Sequence, residues 1–205
     1  SSTSRKLATR ATVIGLRSAA LAIVQRKLDT LGGSVAGNGF VRAYGLHWLA
    51  GEIDWKTSNG VLAGRIGTNA GTLRVANFWA QSGIYVLHDD YGAYYVGLVR
   101  NQPLGARLTQ HTKDAHKGKW DRFSWFGFNR VLTTIDDTGY LRLGKRPKAL
   151  LADNDKTIGD IEALLIMCLG TQRTGNKHQM KFQSAEKWEQ IWHSETDRYL
   201  ARHQA

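Results

Sequence analysis

Two short apolar runs, residues 84–87 and 94–99, flank a turn-rich stretch at 88–93. Apolar runs divided by turn formers read as a β-hairpin. From Leu104 the period changes. Leu104 and Leu108 stand four apart, and so do Arg107 and His111, which on a helix makes one stripe that buries and a second that is left to act.

The rest of the chain is read as support for that unit. Residues 1–4, all Ser or Thr, read as a polar leader. Residues 5–31 repeat Leu7, Val13, Leu16, Leu21, Val24 and Leu28 near helical spacing, with Lys and Arg between them, until Gly32-Gly33. That predicts a basic amphipathic helix, packed on the protein or a copy of itself, or touching DNA or a membrane surface. Strands are expected over 41–46, 61–66 and 72–78, with turns at 58–60 and 69–71. After His111, residues 112–122 are basic and interrupted by glycine, a loop pattern, and 123–135 are aromatic and β-prone, a third strand beneath the hairpin. Thr157 and Asp160 have capping-box spacing, with Asp in place of the usual Glu or Gln, so a helix should run from Ile158 to about Leu169. A second amphipathic helix is expected from Ala185, bearing Trp188, Ile191, Trp192, Tyr199 and Leu200. No Pro- or Ser-rich linker divides these segments, and no internal repeat is found.

The charge balance narrows the partner. Lys and Arg number 28 against 17 Asp and Glu, a net charge of +11, which favours a polyanion and above all nucleic acid, because neutralised phosphates release counterions. Hydrophobic residues at 42% are enough for a core. Cys168 stands alone and forms no intrachain disulfide, so a reducing, cytoplasmic setting is expected. No Cys/His cluster has zinc spacing. Apolar runs such as 163–169 are too short to span a bilayer, and no signal peptide is evident.

The hairpin and its helix carry a resemblance. Gly83-Ile84-Tyr85, then Tyr95-Val96-Gly97, then Arg107 and His111 closely resemble the GIY-YIG nuclease module, with valine in the second triplet. Extended to Glu162 and Asn176, the likeness covers roughly the second half of the chain. Trp120 to Gly127, WDRFSWFG, resembles a bacterial subset of that family and names no substrate. The resemblance implies an α/β (α+β) fold with a small, mixed, mainly antiparallel three-stranded sheet flanked by helices. The corresponding division is an extension over 1–80, a catalytic domain over 81–182 and a C-terminal helix over 183–205. The extension should pack against the catalytic part, and either terminal helix could join two copies in a homodimer.

It also implies an activity: hydrolysis of DNA phosphodiesters by one-step attack of an activated water, with one Mg2+ or Mn2+ and no covalent intermediate, in restriction, anti-phage defence or mobile-element biology. RNA is the alternative substrate. Within that pattern Tyr85 activates or orients the water, Tyr95 and Arg107 position the phosphate, His111 handles protons, Glu162 is the sole protein ligand of the metal, and Asn176 orients the site. The chemistry is consistent. A tyrosine, with an ordinary pKa near 10, is a base only with help; a histidine takes a proton near neutrality; a guanidinium fork suits phosphate and keeps its charge. Taken singly, each has a plainer reading, as a packing tyrosine, a solvated helix arginine or a turn asparagine. Glu162 is either buried and compensated by a cation or partly exposed and favoured by the helix dipole. Lys113, Lys117, Lys119, Arg122 and Arg130, interleaved with aromatics, and Lys145, Arg146 and Lys148 are candidates for the nucleic-acid backbone. Phe123, Trp125 and Phe128 are read as core. A module that keeps the fold and binds nucleic acid without cutting it, or only with a partner, is the competing expectation, and a membrane or oligomer anchor at the N-terminus is a third.

Overall fold

The expected hairpin forms from strands β4 (Gly83–Asp89) and β5 (Gly92–Val99), antiparallel, with Tyr85 opposite Gly97 and Leu87 opposite Tyr95. This computed structural model describes residues 39–56, 60–69, 71–99, 101–146, 154–169, 182 and 185–204, with the backbone alone at 154–159. The predicted helix at 5–31, Ser58 and Asn59 of the turn at 58–60, Lys148, Gly170 and Asn176 lie outside them, as do Thr157's side chain and Ala70 of the turn at 69–71.

The hairpin belongs to a larger sheet than expected. Strands β1 (Ala43–Leu49), β6 (Arg122–Gly127) and β9 (Glu186–Lys187) complete a five-stranded sheet in the order β5-β4-β6-β1-β9, antiparallel except for β1 against β9. A second five-stranded sheet is ordered β10-β2-β3-β8-β7, from β2 (Ala63–Ile66), β3 (Arg74–Asn77), β7 (Val131–Ile135), β8 (Leu141–Leu143) and β10 (Glu189–Gln190). The fold is therefore mixed α/β with two mixed sheets, where a single three-stranded sheet was expected. β1, read as part of an extension, pairs along β6 inside the hairpin's own sheet.

Two other expectations are corrected. Residues 123–135 do not make one strand: β6 ends at Gly127, and the chain crosses to the second sheet at Val131. The helix expected from Ala185 starts only at Thr196, because 186–190 is drawn into the sheets. Trp188 N–H donates to Tyr44 O at 2.8 Å and Ile191 N–H to Ala63 O at 2.8 Å. Unmet edge-strand groups outweigh the helical spacing of Trp188 and Ile191.

Among the described residues, three α-helices cover the sheets: α1 (Leu104–His111), α2 (Asn154–Leu169) and α3 (Thr196–Gln204). Alternation along each strand sends its residues to different layers. Tyr85 and Leu87 join Leu104 and Leu108 of α1, Phe123 and Trp125 of β6, and Leu62, Phe78 and Trp188 in the central core between the sheets. Val86 and Phe126 point the other way, to Ala163 and Met167 of α2. Tyr199 and Leu200 of α3 cover Ala63 and Val75 on the outer face of the second sheet. Phe123, Trp125 and Phe128 are buried, as expected.

Helix α2 begins four residues before the predicted start. Asp160, read as the acid of a capping box, lies inside the helix and is buried. Its Oδ2 accepts the Val41 N–H at 3.3 Å. Burial pushes its carboxyl above the usual range, against the backbone donors of Val41 and Phe40. No helix of the described residues is long and apolar enough to cross a membrane.

Candidate active site

Strand β4 puts Tyr85 on the face toward α1, and the helix places Arg107 and His111 one turn apart above it. The Tyr85 hydroxyl lies 2.7 Å from His111 Nε2, and Arg107 Nε–H donates to the same phenol oxygen at 3.3 Å. On its other side His111 Nδ1 is 2.8 Å from Asp114 Oδ2. A carboxylate can only accept, so Nδ1 carries the proton and Nε2 is left to accept the Tyr85 hydroxyl. The line Asp114, His111, Tyr85 is a continuous proton path. Tyr95 closes its side: its ring centroid is 6.1 Å from that of Tyr85 and 5.4 Å from that of His111.

Burial sets the electrostatics. Tyr85 and His111 are 0% exposed. Burial pushes the Tyr85 phenol up, against the Arg107 guanidinium, which favours phenolate. It lowers His111, against the hydrogen bond that Nδ1–H donates to Asp114, so the imidazole is held neutral and able to receive a proton. Arg107 is raised in turn, first through its hydrogen bond to Tyr85. The backbone N–H of His116 holds the Asp114 carboxyl below its usual range, with further help from His111. Arg107 is half-buried and its Nη1 donates to Gln110 Oε1 at 2.8 Å. It therefore covers the phenol, and an arriving phosphate would compete with Tyr85 for the guanidinium.

Of the residues expected in the site, Tyr85, Tyr95, Arg107 and His111 come together. Glu162 does not join them. It is exposed on α2, whose buried residues pack on the sheet face opposite Tyr85. The divalent ion implied by the resemblance would be held there. A lone carboxylate in water suits a Mg2+ that keeps most of its waters. However, among the described residues Glu162 belongs to no group of three or more possible ligands, and its placement does not connect it to the Tyr85 network. The network itself consists of Tyr85, His111, Asp114 and Arg107.

The basic candidates divide. Lys113, Lys117 and Lys119 are exposed on the loop after α1, beside the site, and Arg130, Lys145 and Arg146 are exposed where β7 meets β8. Arg122 is engaged structurally: it pairs with Asp121 at 3.0 Å and donates to Asp89 O at 3.0 Å.

Sequence reasoning missed Asp114 and His116. The His116 ring lies 4.7 Å from that of His111 and 4.5 Å from that of Tyr95, and its Nδ1 is 3.2 Å from the Tyr94 hydroxyl. The available signal was the spacing His-x-x-Asp-x-His over 111–116, in a segment read only as a basic loop. The sequence shows no Cys/His cluster of zinc spacing, yet these three side chains offer donor atoms within 4.8 Å of one another.

Comparison with protein families, with curated proteins and with solved structures finds no match to this chain.

Proposed function

We propose that this protein is a metal-dependent endonuclease of GIY-YIG type that hydrolyses DNA phosphodiesters by direct attack of water. The observation that carries the reading is the 2.7 Å contact between the Tyr85 hydroxyl and His111 Nε2, beside the Arg107 guanidinium. A phosphodiester hydrolase needs a proton acceptor for the attacking water and a fixed positive charge for the phosphoryl oxygens. Tyr85 can pass its proton to neutral His111, whose ring is held in the required tautomer by Asp114. The phenolate oxygen then takes a proton from water. Arg107, released from the phenol, grips the phosphate, with Tyr95 at the border of the site. The exposed lysines 113, 117 and 119 suit the flanking backbone. Mg2+ or Mn2+ at Glu162 belongs to the proposal through the resemblance, as does a role for Asn176.

The closure of Tyr85 and His111 to solvent favours a second reading, a nucleic-acid-binding module of the same fold that does not cut. One experiment separates them: supercoiled plasmid and single-stranded DNA incubated with the wild type, Tyr85→Phe and Glu162→Ala, with Mg2+, Mn2+ or chelator. The expected result is metal-dependent nicking by the wild type, slowed on the order of 10²-fold or more in Tyr85→Phe; loss in Glu162→Ala would support the metal role taken from the resemblance, and unchanged nicking would remove it. Gel shifts without cleavage by all three proteins would establish the binding module instead.

A further inference from the structure

We propose that His111, Asp114 and His116 form a zinc site that switches the nuclease centre off. The switching rests on the nuclease reading, while the binding stands independently of it.

Two imidazoles and one carboxylate are a donor set typical of zinc and poorly suited to magnesium, which prefers oxygen alone. One donor atom from each side chain lies within 4.8 Å of the others, and Asp114 Oδ2 is already 2.8 Å from His111 Nδ1. Tetrahedral zinc with bonds of about 2.0 to 2.2 Å needs its donors roughly 3.3 Å apart, so a modest turn of the exposed side chains completes the set. The loop is built for this. Asp114 Oδ1 accepts the His116 N–H at 2.8 Å, which holds the two residues together. With the ion on His111 Nδ1 and His116 Nε2, each histidine keeps its other nitrogen against a tyrosine hydroxyl: His111 Nε2 on Tyr85 at 2.7 Å and His116 Nδ1 on Tyr94 at 3.2 Å. Such outer partners orient metal-binding imidazoles. Asp114 is exposed and His116 partly so, which leaves an entry path. The exposed Lys113 and Lys117 beside them add positive charge, so the ion is held by the type of donor and not by the local field.

The consequence follows from one proton. Without zinc, Asp114 keeps the imidazole proton on Nδ1, and Nε2 accepts from Tyr85. Zinc bound through the Nδ1 lone pair moves that proton to Nε2, with no net release. Nε2 then donates to the Tyr85 oxygen and can no longer take its proton, so the path from Tyr85 closes. Zinc thus opposes the same reaction for which magnesium is expected to be needed.

The test begins without DNA. Zinc titrated into the full chain, by calorimetry and by competition with a chromogenic chelator, should bind at one equivalent. His116→Ala and Asp114→Asn should each weaken it at least tenfold while keeping the wild-type near-ultraviolet circular dichroism. Long-range proton–nitrogen spectra should show the His111 proton moving from Nδ1 to Nε2 when zinc is added. In the plasmid assay with excess Mg2+, the ratio of nicking rates with and without zinc should be far below one for the wild type, return to one with a zinc-selective chelator, and stay near one in His116→Ala whatever its own rate. Equal zinc affinity in wild type and both variants, or none in the wild type, overturns the site. Zinc binding without the tautomer change, or without inhibition of a wild type that nicks, overturns the switch. A wild type that never nicks sinks the nuclease reading, and the titration and spectra still decide the zinc site.

Discussion

At position 97 a side chain is missing because another residue occupies its space. A Cβ on Gly97 would stand 2.1 Å from Tyr85 Cζ and 2.2 Å from the Tyr85 hydroxyl oxygen, so the phenol lies across the neighbouring strand. Gly83 is constrained from the other side, with φ at 153° and Phe126 O only 2.0 Å from a Cβ placed there. The two glycines of the triplets thus set how closely the backbone passes the ring and the next strand. Gly97→Ala is expected to force Tyr85 off His111 at a cost of about 1 to 3 kcal/mol, seen as a lower thermal midpoint together with reduced cleavage. Unchanged stability and activity would show that the ring has room to move.

Strand β4 serves two faces with opposite chemistry. Tyr85 faces α1, while His88, three residues on, falls on the other side by strand alternation and lies 2.9 Å from Ser124 Oγ. That oxygen also accepts the His47 N–H at 3.0 Å, so Ser124 ties β1 to His88 on β4. His47 itself has φ at 53° within the bulge of β1. His88 is lowered to about 4, chiefly by burial and then by His47 and Arg122, with Asp121 and Asp89 opposing them. The sign is definite. An unfolded histidine titrates near 6.5, so between that value and 4 the unfolded chain binds the proton more readily. The contribution of His88 to stability is whole above about pH 6.5 and is lost as the pH falls toward 4. Roughly 2 kcal/mol should disappear over that window in urea titrations, after discounting for screening. His88→Gln, which keeps a partner for Ser124, should flatten the dependence. A wild-type profile no steeper than that of His88→Gln would remove the assignment.

At the scale of the molecule the order of layers is α2, first sheet, central core with α1, second sheet, and α3. Trp188 ties the two sheets. It is 0% exposed, its N–H donates to Tyr44 O in the first sheet, and the residues after it form β10 against β2 in the second. Its ring packs on Phe78 at 5.0 Å and under the Arg74 guanidinium at 5.1 Å. Trp188→Ala should cost about 3 to 5 kcal/mol, measured by chemical denaturation. A loss below 1 kcal/mol would mean that the sheets hold together without it.

Local features were legible along the chain: alternation and turn residues marked the hairpin, and the i, i+4 pairs marked α1, because each is a property of neighbouring residues. The sequence also singled out Tyr85, Tyr95, Arg107 and His111, which the structure gathers into one network. Only the tertiary structure decided which strands share a sheet, because hydrogen bonding along an edge depends on segments far apart in the chain. Trp188 and Ile191 have helical spacing and yet belong to strand segments for that reason. Asp114 became part of the proton path only when the loop folded back on His111. Glu162 fell on the opposite side of the sheet from Tyr85, because helix position is set by which apolar face must be covered, and that face belongs to Val86 and Phe126.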